Sequence, residues 1–67
     1  MQIILFNNVS LSMERELTLA ELLVQQGYEE NGFAVAVNQT FVPRSTYASV
    51  CIREGDKVDV IVPMQGG

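Results

Sequence analysis

Sixty-seven residues, 48% of them hydrophobic and 18% charged, make one small globular domain; at that size folding buries only about 60% of the surface of the unfolded chain, which leaves little room for a catalytic cleft. Eight acidic side chains against four basic ones give a formal charge of −4, the wrong sign for a nucleic-acid backbone or an anionic membrane and a better match to a partner with a basic surface. No apolar run approaches the roughly 20 residues that span a bilayer, and the amino terminus lacks the basic flank of an export signal, so the cytoplasm is the expected compartment.

The chain opens with a hairpin pattern. Residues 3–6 are an apolar run, Asn7-Asn8 tolerates the positive φ of a two-residue turn, and Val9, Leu11 and Met13 then alternate with Ser10 and Ser12. Glu14-Arg15-Glu16 reads as a solvated polar connection. After it, Thr18 and Glu21 have the spacing of a capping box, in which each side chain accepts from the other residue's backbone amide. Leu19, Leu22 and Leu23 fall on one face of the helix that starts there, and Gly27 suits the left-handed stop after Gln26. A helix of about eight residues is marginal alone in water, so these leucines must lie against a sheet.

Glu29-Glu30 is solvated loop surface. Residues 33–37 are a second β-rich run, Asn38-Gln39 a second tight turn, and Thr40-Phe41-Val42 returns until Pro43, whose missing amide donor places that strand at or near a sheet edge. Residues 44–50 read as irregular chain or a single helical turn anchored by Tyr47. Arg44 reads as a surface cation paired with a nearby carboxylate, an interaction that contributes about 0–1 kcal/mol. Cys51 is the only cysteine and the chain has no histidine, so it can build neither an internal disulfide nor a thiolate or imidazole metal site. Flanked by Val50 and Ile52, Cys51 is expected to be a small buried side chain. Glu54-Gly55-Asp56-Lys57 has turn chemistry, and Val58, Val60 and Val62 then alternate with Asp59 and Ile61 in a last strand that Pro63 stops.

Strand, strand, helix, strand, short strand, strand is the order of the β-grasp, or ubiquitin-like, fold. It predicts an α+β domain over residues 1–62, a mixed sheet of about four to five strands with one main helix packed on one face, and an extended, flexible tail over 63–67. Alternation also sends apolar groups to the face turned away from the helix. Ile4, Phe6 and Ile61 are expected there, either as a face for docking partners or as a second small cluster beneath loops.

The tail, Pro63-Met64-Gln65-Gly66-Gly67, reaches roughly 17 Å when extended. Its glycines have no side chain, so Gly66 and Gly67 can thread a narrow channel, the Gly67 carboxylate leading and Gln65 following; a frayed terminus is the plainer reading. A carboxylate is ionised and unreactive at neutral pH until something gives it a leaving group. The chain has no G-x-x-x-x-G-K-[ST] phosphate loop, so activation must come from outside; no bound cofactor and no catalytic side chain are expected.

The stretches VAVNQTFVPRSTY (residues 35–47) and REGDKVDVIVPMQGG (53–67) resemble the ThiS family of sulfur carriers. The Asn38 turn, Val42-Pro43-Arg44, the Gly55-Asp56 turn and the final Gly66-Gly67 stand in that family's order. Gly55-Asp56-x-Val58 marks the fold, the diglycine marks the function, and Tyr47 stands where the family often has tryptophan. The resemblance implies that an E1-like enzyme, ThiF, uses its own ATP to adenylate the Gly67 carboxylate. Conversion to a thiocarboxylate follows, and thiazole synthase, ThiG, uses the sulfur for the thiazole of thiamine. Gly67 would then carry the sulfur, Gly66 and Gln65 would enter both partners, and the chain would be a co-substrate, monomeric when free, rather than an enzyme. MoaD, the corresponding carrier for molybdopterin, shares fold and tail, but its chains usually run longer and often have two prolines where this one has Pro63. A non-covalent β-grasp binding module is the more distant alternative.

Overall fold

The computed structural model describes residues 1–28 and 32–62. β1 (Gln2–Phe6) and β2 (Val9–Met13) pair antiparallel across Asn7 and Asn8, whose φ values of 52° and 67° are the left-handed pair that a turn with the twist of a hairpin requires. β3 (Leu17–Thr18) runs straight into α1 (Leu19–Gln25). The capping box is formed: the Glu21 amide donates to the Thr18 hydroxyl at 3.2 Å, and the Thr18 amide donates to the Glu21 carboxylate at 2.9 Å. At the other end Gly27 adopts φ 88°, while the amides of Tyr28 and Gly27 donate to the carbonyls of Leu23 and Val24. That double closure needs a left-handed residue, which glycine supplies without a Cβ penalty.

β4 (Ala34–Val37) turns through Asn38 and Gln39, again with positive φ, into β5 (Thr40–Phe41). A 3₁₀ turn over Arg44–Thr46 follows, then β6 (Cys51–Ile52) and β7 (Lys57–Ile61). The main sheet has five strands in the order β2-β1-β7-β4-β5. Its central pair, β1 and β7, is parallel, and every other pair in it is antiparallel. β5 is an edge strand, where the missing donor of Pro43 does no damage.

A second ladder joins β3 to β6, with Leu17 opposite Ile52 and Thr18 opposite Cys51. Two-residue strands are too short to show an alternation, so this pairing has no signature in the sequence. It fixes where the helix begins: the Leu19 amide donates to the Val50 carbonyl at 2.7 Å and the Ala20 amide to the Tyr47 carbonyl at 3.0 Å. Tyr47 thus anchors this segment as expected, by its backbone as well as by its side chain on the core.

The core lies between the sheet and α1. Ile4, Phe6, Val35 and Val58 meet Leu19, Leu22 and Leu23, with Met13, Leu17 and Ile52 closing the cluster. Two expectations are corrected here. Ile4 and Phe6, assigned to the outer face, are only 1% and 8% exposed, whereas Ile3 and Leu5 are 41% exposed. The parallel register sets Phe6 beside Val58 and Leu5 beside Lys57, so the set that includes Val58 must be the one that meets the leucines. Cys51, expected to be buried, is exposed, because Ile52 takes the inward position of β6 at 0% exposure and its neighbour must point out.

Candidate functional site at the end of the last strand

Gln65, Gly66 and Gly67 lie outside the described residues. The platform they leave from is β7, whose two ends are built from different chemistry. At its start, Asp56 accepts from the Arg53 backbone amide at 2.9 Å and from the Asn38 side-chain Nδ2 at 3.1 Å, and the Asn38 side-chain Oδ1 accepts from the Lys57 backbone amide at 3.0 Å. Glu54 accepts from the Ile3 amide at 2.7 Å, and Gly55 holds the turn with φ 85°. These short polar links fix the origin of the strand, so the direction in which it points is fixed as well.

Further along, β7 outruns its parallel neighbour. The Asn7 amide donates to the Val58 carbonyl at 2.9 Å, and the Asn7 side-chain oxygen then accepts from the Val60 amide at 2.8 Å. A side chain thereby replaces the next rung of the ladder as β1 turns away. Beyond that point β7 has β4 as its ladder partner, with Ala34 opposite Ile61 and Val35 opposite Val60.

Two surfaces flank this end. On the outer face, Ile61 is 45% and Phe41 68% exposed. The register sets Phe41 opposite Ala36, Ala36 opposite Asp59 and Ala34 opposite Ile61, so two small side chains lie between two large apolar ones. The outcome is a shallow apolar area with one carboxylate in it. Ile61 is where the alternation of the sequence puts it. Phe41 was not foreseen as a surface group, although the signal was present: Val42 packs on the core and donates its amide to Val35, which forces Phe41 outward.

On the helix side, a row of rings leads from the core to the surface. Phe6 and Tyr28 have centroids 6.0 Å apart, Tyr28 meets Phe33 edge-on at 5.6 Å, and the Arg44 guanidinium lies 5.7 Å over the Phe33 ring. Because Ala34 is opposite Ile61, Phe33 is level with Val62, the residue that follows the strand. Among the described residues no three metal-ligating side chains converge, and no helix is long and apolar enough to cross a membrane.

Comparison with known proteins agrees with this geometry. The sequence model of the ThiS family matches residues 4–67. The sulfur carrier protein ThiS of Escherichia coli is 34% identical over 64 residues, which is 96% of this chain and 97% of that one. A thiazole synthase of Paramagnetospirillum magneticum is 38% identical over 60 residues, 90% of this chain but 17% of that much longer one. The crystal structure of a thiamine biosynthesis protein (ThiS) from Geobacter metallireducens superposes with a TM-score of 0.84 at 20% identity, covering 98% of this chain and all of the other. At that identity the likeness establishes the fold, the β-grasp.

Proposed function

This chain belongs to the ThiS family, and from that premise we propose a mechanism in which its Gly67 carboxylate takes up sulfur and passes it on. The protein is a sulfur carrier of thiamine biosynthesis, a co-substrate rather than a catalyst. The observation that carries the proposed site is the family match itself: it runs to Gly67 over a body whose last strand is anchored at its origin and leads toward that residue.

A ThiF-like adenylating enzyme supplies the activation. The Gly67 carboxylate attacks the α-phosphorus of ATP held by that enzyme, pyrophosphate leaves, and an acyl adenylate forms. Sulfur at the sulfide level then attacks the acyl carbon, and AMP departs with the former carboxylate oxygen. The product is a thiocarboxylate. Residues 1–62 act as the docking body and 63–67 as the segment that enters the partner, with Gly66 and Gly67 passing where a side chain would block the channel and Gln65 following them in. Binding energy for that entry comes from the outer face around Ile61 and Phe41, since ordering each backbone residue of the segment costs about 1–2 kcal/mol. The body binds no cofactor, is monomeric when free and works in the cytoplasm.

Thiazole synthase is the recipient of the sulfur in this reading. That a stretch of one thiazole synthase chain resembles this protein over 60 residues supports it. Deleting Gly67 tests the site. The carboxylate then retracts by about one residue length, 3.3–3.6 Å, when reacting atoms must be held within about 3–3.5 Å. AMP-forming turnover with the adenylating enzyme is expected to collapse while binding persists; equal turnover by the full-length and shortened proteins would reject the role of Gly67.

A further inference from the structure

We propose that Asn7 is a positioning residue for sulfur uptake: its side chain makes the last link between the β1 hairpin and β7, and through that link it aims the end of the chain that carries Gly67. The inference deepens the sulfur-carrier reading and rests on it.

In a parallel ladder, a residue that gives its amide to one carbonyl of the neighbouring strand returns its own carbonyl to the amide two residues further along. β1 and β7 keep that spacing. Leu5 lies beside Lys57 and donates its amide to the Asp56 carbonyl at 3.0 Å, and Asn7 donates to the Val58 carbonyl at 2.9 Å. The carbonyl of Asn7 would then be due at Val60. Asn7 instead has the left-handed conformation of the hairpin turn, φ 52°, and it is the side-chain Oδ1 that accepts from the Val60 amide, at 2.8 Å. One residue closes the turn and still completes the rung.

The opposite flank of β7 repeats the device. Asn38, also at φ 52° and also the first residue of a tight turn, gives its amide to the Lys57 carbonyl at 2.7 Å and takes the Lys57 amide on its Oδ1 at 3.0 Å. The two grips differ in what supports them. Asn38 works at the origin of the strand, where Asp56 binds both the Asn38 side chain and the Arg53 amide. Asn7 works three residues further on, where β4 alone continues beside β7, with Ala34 opposite Ile61. Asparagine suits both positions because it tolerates a positive φ and carries an acceptor oxygen on a short side chain. Glycine meets the first demand only.

The consequence for sulfur uptake is one of leverage. When the body is seated on its enzyme, the end of β7 is the link that hands the position of the body on to Gly67. Five residues extended to roughly 17 Å turn a swing of about 10° at Val62 into a displacement of about 3 Å at the carboxylate, as large as the separation at which reacting atoms must be held. With the Asn7 link gone, β7 is held from one flank over its final residues. Docking would persist, and fewer docked carriers would present the carboxylate where it can react.

The test compares Asn7→Gly, which keeps the turn and removes the acceptor, with Asn7→Asp, which keeps both, and with Asn38→Gly, which makes the same change at the origin of the strand. Amide hydrogen exchange at Val60 is followed in the free protein, and pyrophosphate release by the adenylating enzyme is measured against carrier concentration, with thermal unfolding alongside. Asn7→Gly should speed exchange at Val60 about tenfold and lower kcat about tenfold with KM within about twofold. Asn7→Asp should stay within about threefold of the unmodified chain in both. Asn38→Gly should lower the unfolding temperature while kcat holds within about twofold. An unchanged kcat for Asn7→Gly, the same loss in Asn38→Gly, or a change in KM alone with exchange at Val60 unaltered overturns the inference. If the unmodified chain itself releases no pyrophosphate, the sulfur-carrier reading fails, and the inference falls with it.

Discussion

The face of the sheet that meets α1 and the face turned away from it come from the same strands and nearly the same residue types. Ile4, Phe6, Val35 and Val58 point one way and are buried; Ile3, Leu5, Phe41 and Ile61 point the other and are open to solvent. A chain of this size has one helix to spend on covering a sheet, so it can close one side only. The inner set contributes stability, at about 1.5–3 kcal/mol for each large side chain fully buried. The outer set contributes less to folding, and in the proposed mechanism it is the set that meets the partners. What separates buried from exposed apolar groups in this molecule is thus the side of the strand, not the residue type.

The contrast can be broken by paired substitutions along β1. Ile4→Ala leaves a cavity in the core and should cost about 2–5 kcal/mol, a large part of the 5–15 kcal/mol typical of a small domain. Ile3→Ala, one residue away on the open face, should stay within about 0.5 kcal/mol. Denaturant unfolding of the two variants checks this, and similar losses would show that the faces are not distinct.

On the outer face, Ile61→Asp should leave unfolding nearly unchanged while weakening binding to both the adenylating enzyme and thiazole synthase by at least tenfold, the size expected for a central apolar contact. Phe41→Ser should act in the same direction. Unchanged affinity of Ile61→Asp for both partners removes the docking role of that face.

The smallest effect belongs to the helix that covers the inner face. The Thr18 amide donating to Glu21, aided by Arg15, holds that carboxyl below its ordinary value of 4.5. Its pKa is depressed by folding, so its contribution is present above the unfolded value and is lost as pH falls through the folded one. The stability difference between the unmodified chain and Glu21→Gln should therefore be steady near neutral pH and shrink on acidification below about 4.5. A difference that grows toward low pH would contradict the capping box.

Local chemistry was legible in the sequence wherever a few adjacent residues decide the outcome. The asparagine turns, the Thr18–Glu21 box, the Gly27 stop and the edge strand before Pro43 all depend on side chains within four positions of one another. The assignment of faces was not legible in that way. Alternation divides β1 into Ile3 with Leu5 and Ile4 with Phe6, but which pair meets the helix depends on its parallel register with β7, more than fifty residues away. Cys51 was misplaced for the same reason, since its partner strand β3 lies over thirty residues upstream and is only two residues long. Phe41 followed from Val42 facing the core, which in turn required β4 to lie inside β5. The proposed site was legible as Gly66 and Gly67 and as Ile61, whereas the link from Asn7 to Val60 needed β1 and β7 to be brought together.

The most direct measurement is the mass of the intact protein after incubation with the adenylating enzyme, ATP and a sulfide-level sulfur donor, followed by location of the change in a proteolytic digest. A gain of about 16 Da, oxygen exchanged for sulfur, confined to the peptide that ends in Gly67 is the expected result, since AMP leaves with the carboxylate oxygen as sulfur enters. No gain, or a gain confined to any other peptide, such as the one containing the exposed Cys51, would contradict a carrier that works through its carboxyl end.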